Sequence, residues 1–305
     1  MALVTIDNYR RGLTATEDNY RRLETGDILF FPGTPFELTA EERAFLLSQK
    51  QTDVSYHKNI SYRPLEDRLK GVEQSDEKAR RRLHEIMRAY SKRVIDFAAS
   101  FLPRYAGNWR IDYASFRPVE EEGRAVALHA RNDLIHVDSF PTRPSNGNRL
   151  LRVFTNVNPN RPRVWITSDN FESLAQQFAR QAGLPSSPRF AGWARHQLLR
   201  ALSGMRLPVV DRSEYDRFML RFHHFLKENS AFQQNCRKER WEFPAGSTWI
   251  CFTDTTSHSC ISGQHALEQT FVVKRDSLVW PEKAPIAILE NMVGFPLADN
   301  PNQEL

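Results

Sequence analysis

A chain of 305 residues, 40% hydrophobic and 11% aromatic, has material for a substantial core, which excludes a mostly disordered polymer. Its three cysteines, Cys236, Cys251 and Cys260, are odd in number and lack CxxC spacing, so they read as reduced thiols of a cytoplasmic protein rather than a disulfide framework. The formal charge of +5 favours anionic partners, and no stretch approaches the roughly 20 apolar residues of a membrane span.

In chain order, residues 1–22 are polar and end in Arg21-Arg22, the pattern of a surface arm. Gly26-Asp27 opens the apolar run Ile28-Leu29-Phe30-Phe31, which Pro32-Gly33 stops, so a strand and turn are expected. Tyr56, His57 and Lys58, with Tyr62 and Arg63 close behind, are polar aromatics beside cations and suit a sugar or an anion, or simply a solvated loop. Ser75, Asp76 and Glu77 cap a helix start, and Leu83, Ile86, Met87, Tyr90, Val94, Phe97, Ala98 and Phe101 recur at helical spacing until Pro103. The block Arg80-Arg81-Arg82 on that helix is not continued by interleaved aromatic and basic residues, so no nucleic-acid partner is expected.

From 108 to 167 the period becomes two. Trp109–Tyr113, Ala125–His129, Leu134–Phe140, Leu150–Val157 and Val164–Ile166 read as strands between turn clusters, the pattern of a sandwich or jelly roll. The pattern is helical from about 168 to 228, as an insertion in which Asp211 and Glu214 suit a capping box and Tyr215, Phe218, Met219, Phe222, Phe225 and Leu226 form a stripe. Strands return at Trp249–Phe252 and Ala266–Lys274. One domain spanning 1–305 is expected: an arm over 1–22, a strand and helical region over 23–103, and a β core over 104–298.

The chemistry concentrates in Leu134-Ile135-His136-Val137-Asp138-Ser139-Phe140. In an extended segment His136 and Asp138 face one way and Ile135 and Val137 the other, so an imidazole and a carboxylate stand side by side. These are two of the three ligands of a 2-His-1-carboxylate triad on Fe(II), and His258, just after the apolar run ending in Phe252, is the best third. Cys260 is set aside because a thiolate favours Zn or Cu. His129 lacks a carboxylate two residues away and reads as a core histidine. His223 and His224 are adjacent on a helix, so their rings diverge by about 100° and do not share a metal.

Oxygen activation on such an iron needs two further electrons, usually from 2-oxoglutarate, whose far carboxylate requires a buried cation. Arg152, which shares a strand face with Leu150 and Phe154, is the first choice, and Arg117 the second. Trp165 can supply a wall or an indole donor, or serve only the core. The same three ligands could instead hold Zn in a metal-dependent hydrolase, and the β core could be a non-catalytic binding module for an anionic sugar.

The run Pro244-Ala245-Gly246-Ser247-Thr248-Trp249, then Asp254-Thr255-Thr256-Ser257-His258-Ser259, then Ser262-Gly263-Gln264-His265-Ala266-Leu267-Glu268-Gln269-Thr270-Phe271 resembles the 3-deoxy-D-manno-oct-2-ulosonic acid (Kdo) hydroxylases. The resemblance runs from about Gly26 to Phe295 and includes His136-Val137-Asp138. It implies an α+β protein whose core is a double-stranded β-helix (jelly roll, cupin-like), with a long N-terminal helix and a helical insertion. It implies Fe(II) on His136, Asp138 and His258, 2-oxoglutarate held by Arg152 with Arg117 and Trp165, and O2 as the oxidant. Better-known 2-oxoglutarate oxygenases often carry a basic residue about ten positions after the distal histidine; here Glu268-Gln269-Thr270 stands instead. The implied reaction is hydroxylation of carbon 3 of a Kdo sugar in the lipid A inner core of lipopolysaccharide. Such an anionic glycolipid gives Lys58, Arg63 and Arg80 to Arg82 a role in peripheral contact with the acidic cytoplasmic face of the inner membrane.

Overall fold

The computed structural model describes residues 1–7, 9, 12–49, 59–72, 76–187 and 212–298. Its strands are β1 (Leu3–Thr5), β2 (Ile28–Phe31), β3 (Ile60–Arg63), β4 (Arg68–Lys70), β5 (Trp109–Arg117), β6 (Arg149–Asn156), β7 (Arg163–Thr167), β8 (Glu239–Phe243), β9 (Thr248–Phe252), β10 (His258–Ser262) and β11 (Ala266–Val273). Eight of them form one sheet in the order β1-β2-β9-β6-β11-β5-β3-β4, and the other three form a second sheet, β10-β7-β8. The β1–β2 pair is parallel and the remaining pairs are antiparallel. The fold is therefore mixed α/β around one large sheet.

The central strands β6, β9 and β11 are buried at every position, because both faces of the large sheet are covered. Alternation divides their side chains. Leu151, Val153, Ile250, Phe252, Leu267 and Phe271 belong to the main apolar core, which α3 (Glu77–Phe101) completes with Leu83, Ile86, Met87, Tyr90, Val94, Ala98 and Phe101. On the opposite face Phe154, Trp249 and Cys251 meet Trp165, Phe243 and Cys260 of the small sheet in a second cluster. Stacking of Phe243 on Trp249, with ring centroids 3.9 Å apart, fixes the separation of the two sheets there.

Helix ends follow local chemistry. Thr16 and Asn19 form a reciprocal capping box at α1 (Glu17–Thr25), which ends at Gly26 with φ 105°. Asp76 caps α3. The remaining helices are α2 (Ala40–Ser48), α4 (Phe171–Phe178), α5 (Glu214–Glu228), α6 (Ser230–Asn235) and α7 (Pro285–Val293), the last with proline in its first turn.

Several expectations change. The stretch 1–22 is no mere arm, since β1 adds to the edge of β2 and α1 begins at Glu17. Ala125–His129 is apolar yet finds no strand partner, and Leu128–Ala130 forms a 3-10 turn at the surface. Leu134–Phe140 makes only one isolated bridge. The strands β8 and β10 escape a composition-based reading because Glu-Arg-Trp-Glu-Phe and His-Ser-Cys-Ile-Ser are polar; pairing with β7 makes them strands. Ser213 caps α5 in place of the expected box, whose Asp211 lies outside the described residues, as do Ser75 and the cluster Tyr56–Lys58.

Candidate metal centre

The peptide N–H of His136 donates to the His258 carbonyl at 3.0 Å and the N–H of His258 to that of His136 at 2.8 Å. Residues directly opposed in an antiparallel pair project their side chains to the same side, so one bridge brings together two histidines far apart in sequence. Their ring centroids are 4.8 Å apart. Asp138 lies two residues along, its N–H donating to the Thr253 carbonyl at 2.7 Å, and its Oδ1 is 3.5 Å from His136 Nε2. All three side chains are buried.

Each imidazole is oriented by the main chain. His136 Nδ1 is 2.7 Å from the Leu134 carbonyl and His258 Nδ1 is 2.8 Å from the Thr256 carbonyl. A carbonyl only accepts, so Nδ1 carries the proton and Nε2 keeps its lone pair. Burial lowers both imidazoles, His258 to about 3, which keeps them neutral. Burial alone would raise Asp138, but the Arg152 guanidinium and the two histidines hold it well below the usual carboxylate range. Two neutral imidazoles and one ionised carboxylate are the protonation states that a divalent cation requires.

Arg152 sits on β6 between Cys251 of β9 and Thr270 of β11, on the face turned to the small sheet. It bridges Asp138 and Glu268, each at 2.5 Å. Arg117 reaches the other oxygen of Glu268 at 2.9 Å and Glu121 at 3.4 Å, and Arg163 adds a contact to Glu121 at 3.2 Å. A buried ladder of alternating charge thus runs from Asp138 away from the centre. Burial would raise Glu268, yet Arg117 and Arg152 bring it down to about 2. Glu268 and Glu121 were missed by the sequence reading; strand alternation puts Glu268 on one face with Thr270 opposite Arg152, but only pairing reveals the neighbour.

Trp165 is a core tryptophan that also walls the site, stacking on His258 with centroids 4.8 Å apart. Its Nε1 and the Arg152 Nε are buried without a hydrogen-bond partner. Two orphaned donors beside a metal-type donor set fit a dianionic chelating keto acid. Cys260 is buried, its thiol raised to about 11 by burial, which agrees with setting it aside as a ligand.

His223 and His224 diverge, but with a consequence the spacing did not reveal. His224 turns outward and stacks on His129, which is exposed and lies against the Glu228 carboxylate rather than being a core histidine. His223 turns inward: its ring is 4.8 Å from that of His136, and the metal-binding atoms of His136, Asp138 and His223 lie within 4.8 Å of one another, a group that, among the described residues, has His223 in the place expected of His258.

A family model described as 3-deoxy-D-manno-oct-2-ulosonic acid (Kdo) hydroxylase matches residues 9–296. Among solved structures, the chain is similar to the Kdo hydroxylase KdoO, a non-heme Fe(II) alphaketoglutarate dependent dioxygenase. Its apo form and its complex with alphaketoglutarate and Fe(III) are each 34% identical over 100% of both chains with a TM-score of 0.83. Its complex with cobalt(II) is 35% identical over 99% of both chains, also at 0.83. No curated protein sequence matches. A family match over nearly the whole chain, together with end-to-end similarity in sequence and structure, makes this protein a member of the Kdo hydroxylase family.

Proposed function

We infer that the protein is an Fe(II)- and 2-oxoglutarate-dependent dioxygenase that hydroxylates a Kdo sugar, at carbon 3, in the lipid A inner core of lipopolysaccharide. The observation that carries this reading is full-length similarity to a Kdo hydroxylase seen with alphaketoglutarate and Fe(III), joined to a buried pair of neutral imidazoles beside an ionised carboxylate. His136, Asp138 and His258 are the proposed iron ligands. Arg152, assisted by Arg117 and Trp165, is proposed to hold the cosubstrate. We further read the core as a jelly roll within a single domain: the bridge at His136 extends the small sheet to the H-x-D segment, opposite the strands β5, β11, β6 and β9.

When bound, the iron and 2-oxoglutarate supply the oxidising power that activates O2. The chain's own residues do the rest. Asp138 and the two Nε2 lone pairs would hold the ion. The Arg152 Nε and the Trp165 indole N–H provide donors for a carboxylate. Trp165 and Phe154 meet edge to face, and the Arg152 guanidinium packs over the rings of Phe154 and Phe140, so apolar surface flanks the proposed cosubstrate donors.

Protein purified without oxygen and loaded with Fe(II) should convert 2-oxoglutarate to succinate faster when a Kdo-containing glycolipid is added, and that glycolipid should gain one oxygen by mass. Asp138→Ala should lower turnover by at least about 10²-fold, the scale of losing a group that organises the reacting centre. Product formation without O2 consumption would point to a hydrolase, and sugar binding with no metal in the site to a binding module. We also propose peripheral contact with an acidic membrane. Arg80, Arg81 and Arg82 support it by exposure, although each is paired to Glu77 or Glu85. Replacing all three with Gln should weaken binding to anionic vesicles, and unchanged binding would end that part of the reading.

A further inference from the structure

The H-x-D segment is bridged to a strand on one edge only. On that edge His136 exchanges both backbone hydrogen bonds with His258. The peptide groups of Ile135 and Val137 face the other edge, where no strand lies among the described residues, yet buried backbone groups must find partners. Three of these groups find side chains from α5 and α6. Gln233 of α6 accepts from the Ile135 N–H at 3.0 Å and donates to the Ile135 carbonyl at 2.9 Å, the two bonds that a strand would make. His223 Nδ1 donates to the Val137 carbonyl at 2.8 Å. The same helical face continues the contact, with Lys227 donating to the His129 carbonyl at 3.0 Å and Asp216 accepting from the N–H groups of Ser145 and Asn146.

We propose that Gln233 and His223 are positioning residues for the metal centre: together they replace the missing strand and hold the backbone on either side of His136 in the extended form that aims His136 and Asp138 at one ion. Gln233 is itself locked, since its amide also donates to the Leu226 carbonyl at 2.7 Å. His223 is packed edge-on against the ring it helps to place. The helices α5 and α6 are thereby the second wall of the segment that carries His136 and Asp138.

The proposal rests on the metal-centre reading above, and Co(II) binding to cosubstrate-free protein tests it without turnover. Wild type, Gln233→Leu, His223→Phe and His223→Asn are titrated with Co(II), and their unfolding midpoints are recorded. Asn keeps an N–H where the imidazole Nδ1 stood but lacks the rest of the ring. Positioning predicts that Gln233→Leu and His223→Phe weaken Co(II) binding by about 10- to 100-fold, the range for outer partners of metal ligands, and that His223→Asn restores most of it. Shifted midpoints with unchanged Co(II) affinity in both disruptive variants would overturn the proposal, leaving a purely structural contact. Affinity lost equally in His223→Asn and His223→Phe would also overturn it, because the imidazole itself would then be a ligand. A wild type that binds no Co(II) would strike instead at the proposed function.

Discussion

At the scale of single residues the protein stakes much on buried charge. Arg149 is fully buried and pairs with Asp254 at 2.9 Å, with a further bond to Thr255 Oγ1 at 2.5 Å. Burial raises Asp254 despite this partner, so the pair is held by geometry more than by net gain. Arg149→Met should destabilise the fold by roughly 3–5 kcal/mol, measured by urea unfolding, since it leaves Asp254 uncompensated. The buried histidines set a pH response. His258 is depressed to about 3, and His136 and His223 are lowered by burial. Because all three are lowered, below the unfolded value of about 6.5 the unfolded chain binds more protons than the native one. Stability of the metal-free protein should therefore fall as pH drops below about 6.5. Glu268, held near 2, adds to the loss further down. His258→Gln should flatten the upper part of that dependence in midpoints recorded between about pH 4 and 7.

At the scale of elements, position is set by contacts that no single element contains. Gly263, after β10, has φ 128°, and a Cβ there would lie 2.8 Å from Arg163 Cγ and 2.9 Å from Arg163 Cα. Arg163 in turn donates to the Gly263 carbonyl at 2.9 Å and pairs with Glu121. Gly263→Ala should cost about 1–3 kcal/mol in urea unfolding, and because the clash is with backbone, repacking offers little relief. The helix α3 was legible from its apolar period and its acidic start, since one amphipathic element buries its stripe whatever the partner. Strand β10 was not, because a polar strand is made by its neighbours. For the same reason the H-x-D motif was recognisable as chemistry but misread as a full strand: its second edge is closed by Gln233 and His223.

At the scale of the whole molecule, the proposed site draws on both sheets and the segment between them: His136 and Asp138, His258 from β10, Arg152 from β6 and Trp165 from β7. Occupancy of such a site should stabilise the fold as a unit. Co(II) with 2-oxoglutarate at about 100 times its dissociation constant should add roughly 2.7 kcal/mol to unfolding, read as a rise in Tm. Arg152→Met should abolish the part of that rise due to 2-oxoglutarate while retaining the part due to Co(II).

Residue types and their spacing determined the long helix, the β core and the H-x-D pair, because these depend on periodicity and on functional groups close together in the chain, while the class of chemistry came from the resemblance to the Kdo hydroxylases around His258. Tertiary structure alone decided that His258 faces His136 across one bridge, that Arg152 shares Asp138 with a ladder through Glu268, and that α5 and α6 close the open edge of the segment carrying His136 and Asp138. Those relations join residues distant in sequence, and pairing register, which no local pattern encodes, is what brings them within reach of one another.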